Sequence, residues 1–311
     1  MAKKSSKIAI TYIVTILATF LIIGGICYLL LERVLNPAPK QQSLPSIEPV
    51  ISAAEEYVPS PKDSRTTLFI YDSEKRLSGS CFVVVRMIAD DRNIAIMPIP
   101  ADTAAKVNGT TNSIYEFYRT GGTGRAVSAA ESALNIDIDY YVKLDNNSFE
   151  TIIDLFGGVD FDVPYNLIYT NPATGEESIL REGKSYLDSN GLRKLFTFPE
   201  YNSGEEYRAK MIGIALTDLI NANVASGFSS HIDDYFSAII NSTIETNYTA
   251  YDYAEQSDAM KYVADSSDRI AQLVAVSGSY DENSLFVLDE SFVRAVPEWL
   301  RIGYEGDELP Y

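Results

Sequence analysis

The chain has 311 residues, 46% of them hydrophobic, and a formal net charge of −18. That is enough apolar material for one large core or two modest ones. So acidic a surface repels nucleic acid and anionic lipid headgroups, and it repels phosphate-rich substrates unless a local basic pocket or a metal ion opposes the field.

Lys3, Lys4 and Lys7 precede residues 8–31, a stretch of 24 residues without a charge. At about 1.5 Å rise per residue such a helix crosses a hydrocarbon core of about 30 Å with some tilt. A cleavable signal peptide has an apolar region of roughly 7–15 residues, and no small-x-small cleavage site follows here. The lysines keep residues 1–7 on the cytoplasmic side. The sequence therefore predicts a single-pass anchor in the cell membrane, with the rest of the chain extracytoplasmic. Lys3, Lys4, Lys7 and Arg33 against Glu32 give residues 1–33 a net charge of +3, which leaves −21 on the external part. Of the two cysteines, Cys27 falls in the anchor and Cys81 in an apolar strand, so the external part has no internal disulfide.

Residues 32–64 read as a flexible stalk, because 36–61 are rich in Pro, Ser, Gln and Glu without apolar periodicity. From there to residue 311 the pattern is that of one domain. TTLFIY (66–71), CFVVVRM (81–87) and NIAIMPI (93–99) are β-branched or aromatic runs, the last two joined as an antiparallel hairpin. Residues 113–134 are helical and interrupted by Gly121-Gly122. YYVKLD (140–145) is a strand. NNSFETIIDLF (146–156) is a helix with an Asn/Ser start and Gly157-Gly158 as its stop. VDFDVPY (159–165) is another strand. Ser203 and Glu206 have capping-box spacing at the start of a long helix over 203–224. A helix (251–264), a strand (269–276) and a closing helix (290–299) complete the chain. Mixed strands and helices predict a single α/β domain with a central mixed β-sheet flanked by helices.

Several chemistries are excluded. His231, the one histidine, lies in the polar stretch SSHIDDYF and reads as an exposed helix residue. No His/Cys cluster exists for zinc. There is no P-loop and no G-x-S-x-G, and Gly121-Gly122-Thr123-Gly124 lacks dinucleotide spacing. In MPIPADT (97–103), a strand ends in a carboxylate and a hydroxyl, Asp102 and Thr103, which either serve a site or punctuate a turn.

The order of these pieces, with I-P-x-D-T after the hairpin and NIDIDYYVKLDNNSFETIIDLFGGVDFDVPY (135–165), resembles the LytR-CpsA-Psr family over 66–299. The resemblance implies a membrane-anchored envelope enzyme that transfers glycopolymers from a polyprenyl-pyrophosphate lipid onto peptidoglycan with Mg²⁺. The functional positions depart from the family pattern. Its Asp-x-Arg falls on Asp72, Ser73 and Glu74. Its Arg-Ser-Asp-Thr, with a metal-binding Asp, falls on Leu77, Ser78, Gly79 and Ser80. Its Pro-Arg-Asp-Thr falls on Pro100, Ala101, Asp102 and Thr103, and its Tyr-x-Arg-x-Arg on Leu195, Phe196, Thr197, Phe198 and Pro199. In the final Asp-x-x-Arg-x-x-Arg-Gln, which begins at Glu205, Arg208 is retained, Met211 stands where an arginine is expected, and Lys210 is a second basic residue one position away.

By resemblance, Asp102 and Arg208 are the catalytic candidates, Arg208 and Lys210 the phosphate-binding ones, and Asp102 with Asp72 a vestigial magnesium site. Phosphoryl transfer depends on positioning and on neutralising charge, so the missing arginines divide the reading. One alternative is a degenerate member that binds a polyprenyl-linked glycan, a lipid or an envelope partner without catalysis. The other is a divergent active transferase that uses Asp102, Asp72 and Arg208 with Mg²⁺. A generic surface-interaction domain is a third. No protein partner is legible.

Overall fold

The computed structural model describes residues 57–73, 79–172, 175, 177–224, 228–266 and 269–303. The expected anchor over 8–31, most of the expected stalk, and Glu74 lie outside them. Among the described residues no helix is long and apolar enough to cross a membrane. The last residues before the first strand lie against the domain. Tyr57 meets the Tyr262 ring edge-on at 5.6 Å, and the buried Ser64 hydroxyl accepts the Ala89 N–H.

The three apolar runs form β1 (Arg65–Asp72), β2 (Ser80–Ile88) and β3 (Asn93–Ile99). β2 is antiparallel to both neighbours, with Val84 opposite Leu68 on one side and Met97 on the other. Helices cover both faces of β2, which is why its sequence is almost continuously apolar rather than alternating. A hairpin not anticipated from the sequence follows: β4 (Ala104–Val107) and β5 (Thr110–Ser113), joined through Asn108 and Gly109, both at positive φ. Asn-Gly supplies that conformation at low steric cost. Helix α1 (Ile114–Leu134) is capped by the Ser113 hydroxyl and kinks at Gly122 (φ 70°, ψ −164°), where the sequence predicts an interruption.

β6 (Tyr140–Leu144) returns parallel to β1. Asp145 caps α2 (Asn146–Phe156), and Gly157 at φ 80° ends it. β7 (Val159–Val163) pairs with β10 (Gly183–Leu187), and β8 (Leu167–Thr170) with β9 (Glu177–Leu180). Helices α3 (Ser189–Thr197), α4 (Gly204–Val224) and α5 (Ile232–Ser242) precede β11 (Glu245–Thr246) and α6 (Ala250–Ala264). β12 (Ala271–Leu273) is shorter than the apolar run that contains it, because after Val274 donates to Ile96 the backbone leaves the sheet. The hairpin β13 (Gly278–Tyr280)–β14 (Phe286–Leu288) and α7 (Glu290–Trp299) close the described fold.

The central sheet is mixed, in the order β11-β6-β1-β2-β3-β12. One face packs Leu68, Ile70, Phe82 and Met97 against α1 and α7. The other packs Val83, Ile96, Val142 and Leu144 against α2, α3 and α4. Gly213 lets α4 approach the sheet closely, since a Cβ there would sit 2.5 Å from Leu273 and 2.6 Å from Pro98. At the outer edge, the Asn221 side chain accepts the Ala271 N–H and donates to the Ala271 carbonyl, both at 2.9 Å.

Arg86 joins the sheet to the residue that follows α7. It is buried on β2, and its guanidinium donates to the Leu300 carbonyl at 2.6 Å and the Thr66 hydroxyl at 2.8 Å. Arg86→Ala strands both acceptors and is expected to lower unfolding free energy by about 3 kcal/mol, as measured by urea denaturation.

Candidate functional site

The two resemblance-assigned acids lie at the carboxyl ends of β1 and β3. Asp72 ends β1 and is 9% exposed. One of its oxygens accepts the Tyr118 phenol at 2.6 Å and the other the Ser80 hydroxyl at 3.3 Å. Tyr118 comes from α1, and its ring lies 5.4 Å from the Lys143 ammonium on β6. Asp102 follows β3 in a turn closed by main chain, with the Thr103 N–H donating to the Pro100 carbonyl at 3.0 Å. The backbone of this turn is used throughout. Ala101 and Thr103 accept from Tyr115 and Ile114 at the start of α1, and Asp102 accepts from Phe286 on β14. The side chains differ from the backbone in this respect. Asp102 Oδ1 and the hydroxyl of fully buried Thr103 have no hydrogen-bond partner among the described residues. Burial, and then the charge of Glu205, push the Asp102 carboxyl up to about 6, against a smaller opposing effect of the Tyr280 phenol that faces it.

Arg208 sits on the first turns of α4 and is 2% exposed. Its Nε and Nη2 donate to Glu205, one turn earlier, and Nη2 also donates to the Ser80 carbonyl at 2.8 Å. Nη1 donates to the Phe196 carbonyl at 2.7 Å and to Cys81 Sγ at 3.3 Å. Burial nevertheless pushes the Cys81 thiol up to about 11, with Arg208 opposing it. The guanidinium therefore bonds α4 to β2 and to the end of α3. Lys210 is exposed on the same helix.

The other resemblance positions are filled differently. Ala101 is 1% exposed in the core beneath α1, and Met211 is 6% exposed in the core on the opposite face. Thr197 spends its hydroxyl on the Arg193 carbonyl. Gly79 is buried and adds no ligand; its carbonyl accepts from Ser73. Glu74, Leu77 and Ser78 lie outside the described residues. Mg²⁺ asks for near-octahedral oxygen ligands. Among the described residues no three His, Cys, Asp or Glu side chains converge, and Asp72 is committed to Tyr118 and Ser80. These residues do not fit a protein-built magnesium site.

Beside Arg208 lies an apolar cavity of about 180 Å³. The sheet face (Phe69, Tyr71, Cys81, Val83, Val85, Ile96) forms one wall, and residues of α2, α4 and α5, among them Ile153, Leu219 and Ile239, form the other. Cys81 and Phe196 line it and also accept from Arg208, so a buried guanidinium adjoins one wall of an otherwise apolar space. Glu205 was legible as an i,i+3 partner of Arg208. Tyr118 and Tyr280 were not, because the sequence separations involved carry no local signal.

An α/β sheet of this order, with an acid pair at its carboxyl end and an apolar cavity under one face, defines the class. The model described as the LytR_cpsA_psr family matches residues 62–298, and the chain belongs to that family. The polyisoprenyl-teichoic acid–peptidoglycan teichoic acid transferase TagU of Bacillus subtilis (strain 168) is 28% identical over 156 residues, 50% of this chain and 49% of that protein. TagV of the same strain is 33% identical over 88 residues, 27% of this chain and 22% of that protein. The chain thus spans about half the length, or less, of these curated relatives. Among solved structures, an Eubacterium siraeum protein superposes with a TM-score of 0.70 at 18% identity over 85% of this chain and 100% of that one. B. subtilis TagV does so at 0.60 and 21% over 76% and 96%. TagT bound to LIIa-WTA does so at 0.59 and 16% over 84% and 98%. At these identities the likeness is one of fold.

Two outcomes follow from the geometry. Arg208→Ala leaves Glu205 without its cation and removes the hydrogen bonds to the Ser80 and Phe196 carbonyls and to Cys81 Sγ, and is expected to cost about 3–5 kcal/mol in chemical denaturation. Asp102 has its folded pKa raised above the ordinary 3.8, so the folded state binds the proton more tightly than the unfolded one. The stability this contributes is complete below the ordinary value and is lost as pH rises through about 6. Asp102→Asn should therefore be more stable than the parent above pH 7, by about 1 kcal/mol after discounting for partial exposure. The difference in melting temperature should vanish near pH 4.

Proposed function

We propose that this is a membrane-anchored, extracytoplasmic family member that binds a polyprenyl-linked glycopolymer through its lipid and does not transfer it. The observation that carries this reading is the fate of the cationic positions. Ala101 and Met211, where the family pattern has arginine, are packed into two cores, and the remaining Arg208 is buried with its donors turned onto Glu205, Ser80, Phe196 and Cys81. Transfer of a pyrophosphate-linked group needs charge neutralisation where charge develops. The described residues supply little of it, in an external part of net charge −21. The apolar cavity, by contrast, has the chemistry of an isoprenoid tail. The names of the curated relatives, polyisoprenyl-teichoic acid transferases, support a ligand of that class.

The test uses geranylgeranyl pyrophosphate. Calorimetry should show saturable binding that weakens at least about tenfold in Ile153→Trp, which fills the cavity. Phosphate release in the presence of Mg²⁺ should stay at the no-protein level. Sustained turnover by the native chain would replace this reading with that of a divergent transferase, in which Asp102 and Asp72 serve a bound ion. Absence of saturable binding would remove the lipid from the function altogether.

A further inference from the structure

We infer that α5 is the gate of the apolar cavity, the element that swings away to admit an unbranched or isoprenoid tail. The inference rests on the lipid-binding reading above. Of the seven α-helices among the described residues, α5 alone buries no side chain. The cavity walls contributed by the sheet, α2 and α4 are set into the core through residues such as Val83, Phe149 and Leu219. α5 closes the space with Ile239, which remains partly exposed.

What holds α5 in place is modest and near the surface. The Tyr235 ring stacks on Phe156 of α2 at 5.2 Å, and Phe236 stacks on Tyr253 of α6 at 3.9 Å and reaches one buried ring, Tyr248, at 5.1 Å. Asp233 receives the Tyr253 phenol and lies 3.1 Å from the Lys261 ammonium. The Ser148 hydroxyl donates to the Ser242 carbonyl at 2.6 Å, which ties the carboxyl end of α5 to α2. Exposed ion pairs and single ring stacks are each weak. An element with no buried residue opens at a small fraction of the free energy of global unfolding. The tie at Ser242 makes that end the pivot, and the stacked rings of Tyr235 and Phe236 the latch.

Cys81 lines the same cavity and reports on opening without any ligand. In the 311-residue chain carrying Cys27→Ser it is the one thiol, and its modification by methyl methanethiosulfonate is followed by mass spectrometry under native conditions. Tyr235→Ala should speed modification about five- to tenfold while the global unfolding midpoint barely moves, and Asp233→Asn should speed it by less. The rate should be nearly insensitive to low urea, because a local opening exposes little surface. Equal rates in parent and both variants, or rates that follow urea with the slope of global unfolding, would overturn the gate. Addition of geranylgeranyl monophosphate should slow modification. Faster modification in Tyr235→Ala with no slowing by that lipid would uphold the gate and overturn the lipid reading instead.

Discussion

The buried guanidinium of Arg208 is the junction on which the site depends. A charge removed from water is costly unless its donors find acceptors in good geometry, and one carboxylate with two carbonyls and a thiol provides that. The result is mechanical as much as electrostatic. α4 cannot shift along the sheet without breaking bonds to β2, and the end of α3 is fastened by the same group. Cys81 and Phe196, which Arg208 holds, are also walls of the apolar cavity. The cavity therefore owes its shape at that end to an ion pair, while its walls from the sheet, α2 and α4 are ordinary core.

The acids at the carboxyl end of the sheet are managed by phenols. Tyr118 gives Asp72 a short hydrogen bond and Tyr280 faces Asp102, and a phenol supplies a donor without a charge. A phenol therefore satisfies a carboxylate here without cancelling its charge, in a chain whose formal net charge is −18. A pyrophosphate approaching this region meets repulsion that a cation-lined site would cancel. An apolar tail is indifferent to such charges, which is why the cavity and the two acids are judged separately.

Much of the fold was legible because burial on both faces leaves a plain trace. CFVVVRM can only be an inner strand, and Gly157 and Gly122 mark a helix end and a kink through conformations that favour glycine. The β4–β5 hairpin escaped notice although Asn108-Gly109 announces it, since its strands are only four residues long and the second is wholly polar. Of the site, the Glu205–Arg208 pair follows from helical spacing. The bonds from Arg208 to Cys81 and Ser80 span 127 and 128 residues, and no local pattern encodes a contact of that range. The same holds for Tyr118 and Asp72, 46 residues apart. Sequence similarity located the acids and could not say what they touch.

Ala101 and Met211 also carry a historical meaning. An arginine arriving at either position would bring a charged, longer side chain into closed packing, at a cost comparable to the whole margin of stability of a domain. A cationic site assembled here one substitution at a time therefore meets its largest stability cost at the first step. Packing of this kind works as a ratchet, because each closed position raises the cost of placing a charge at the other.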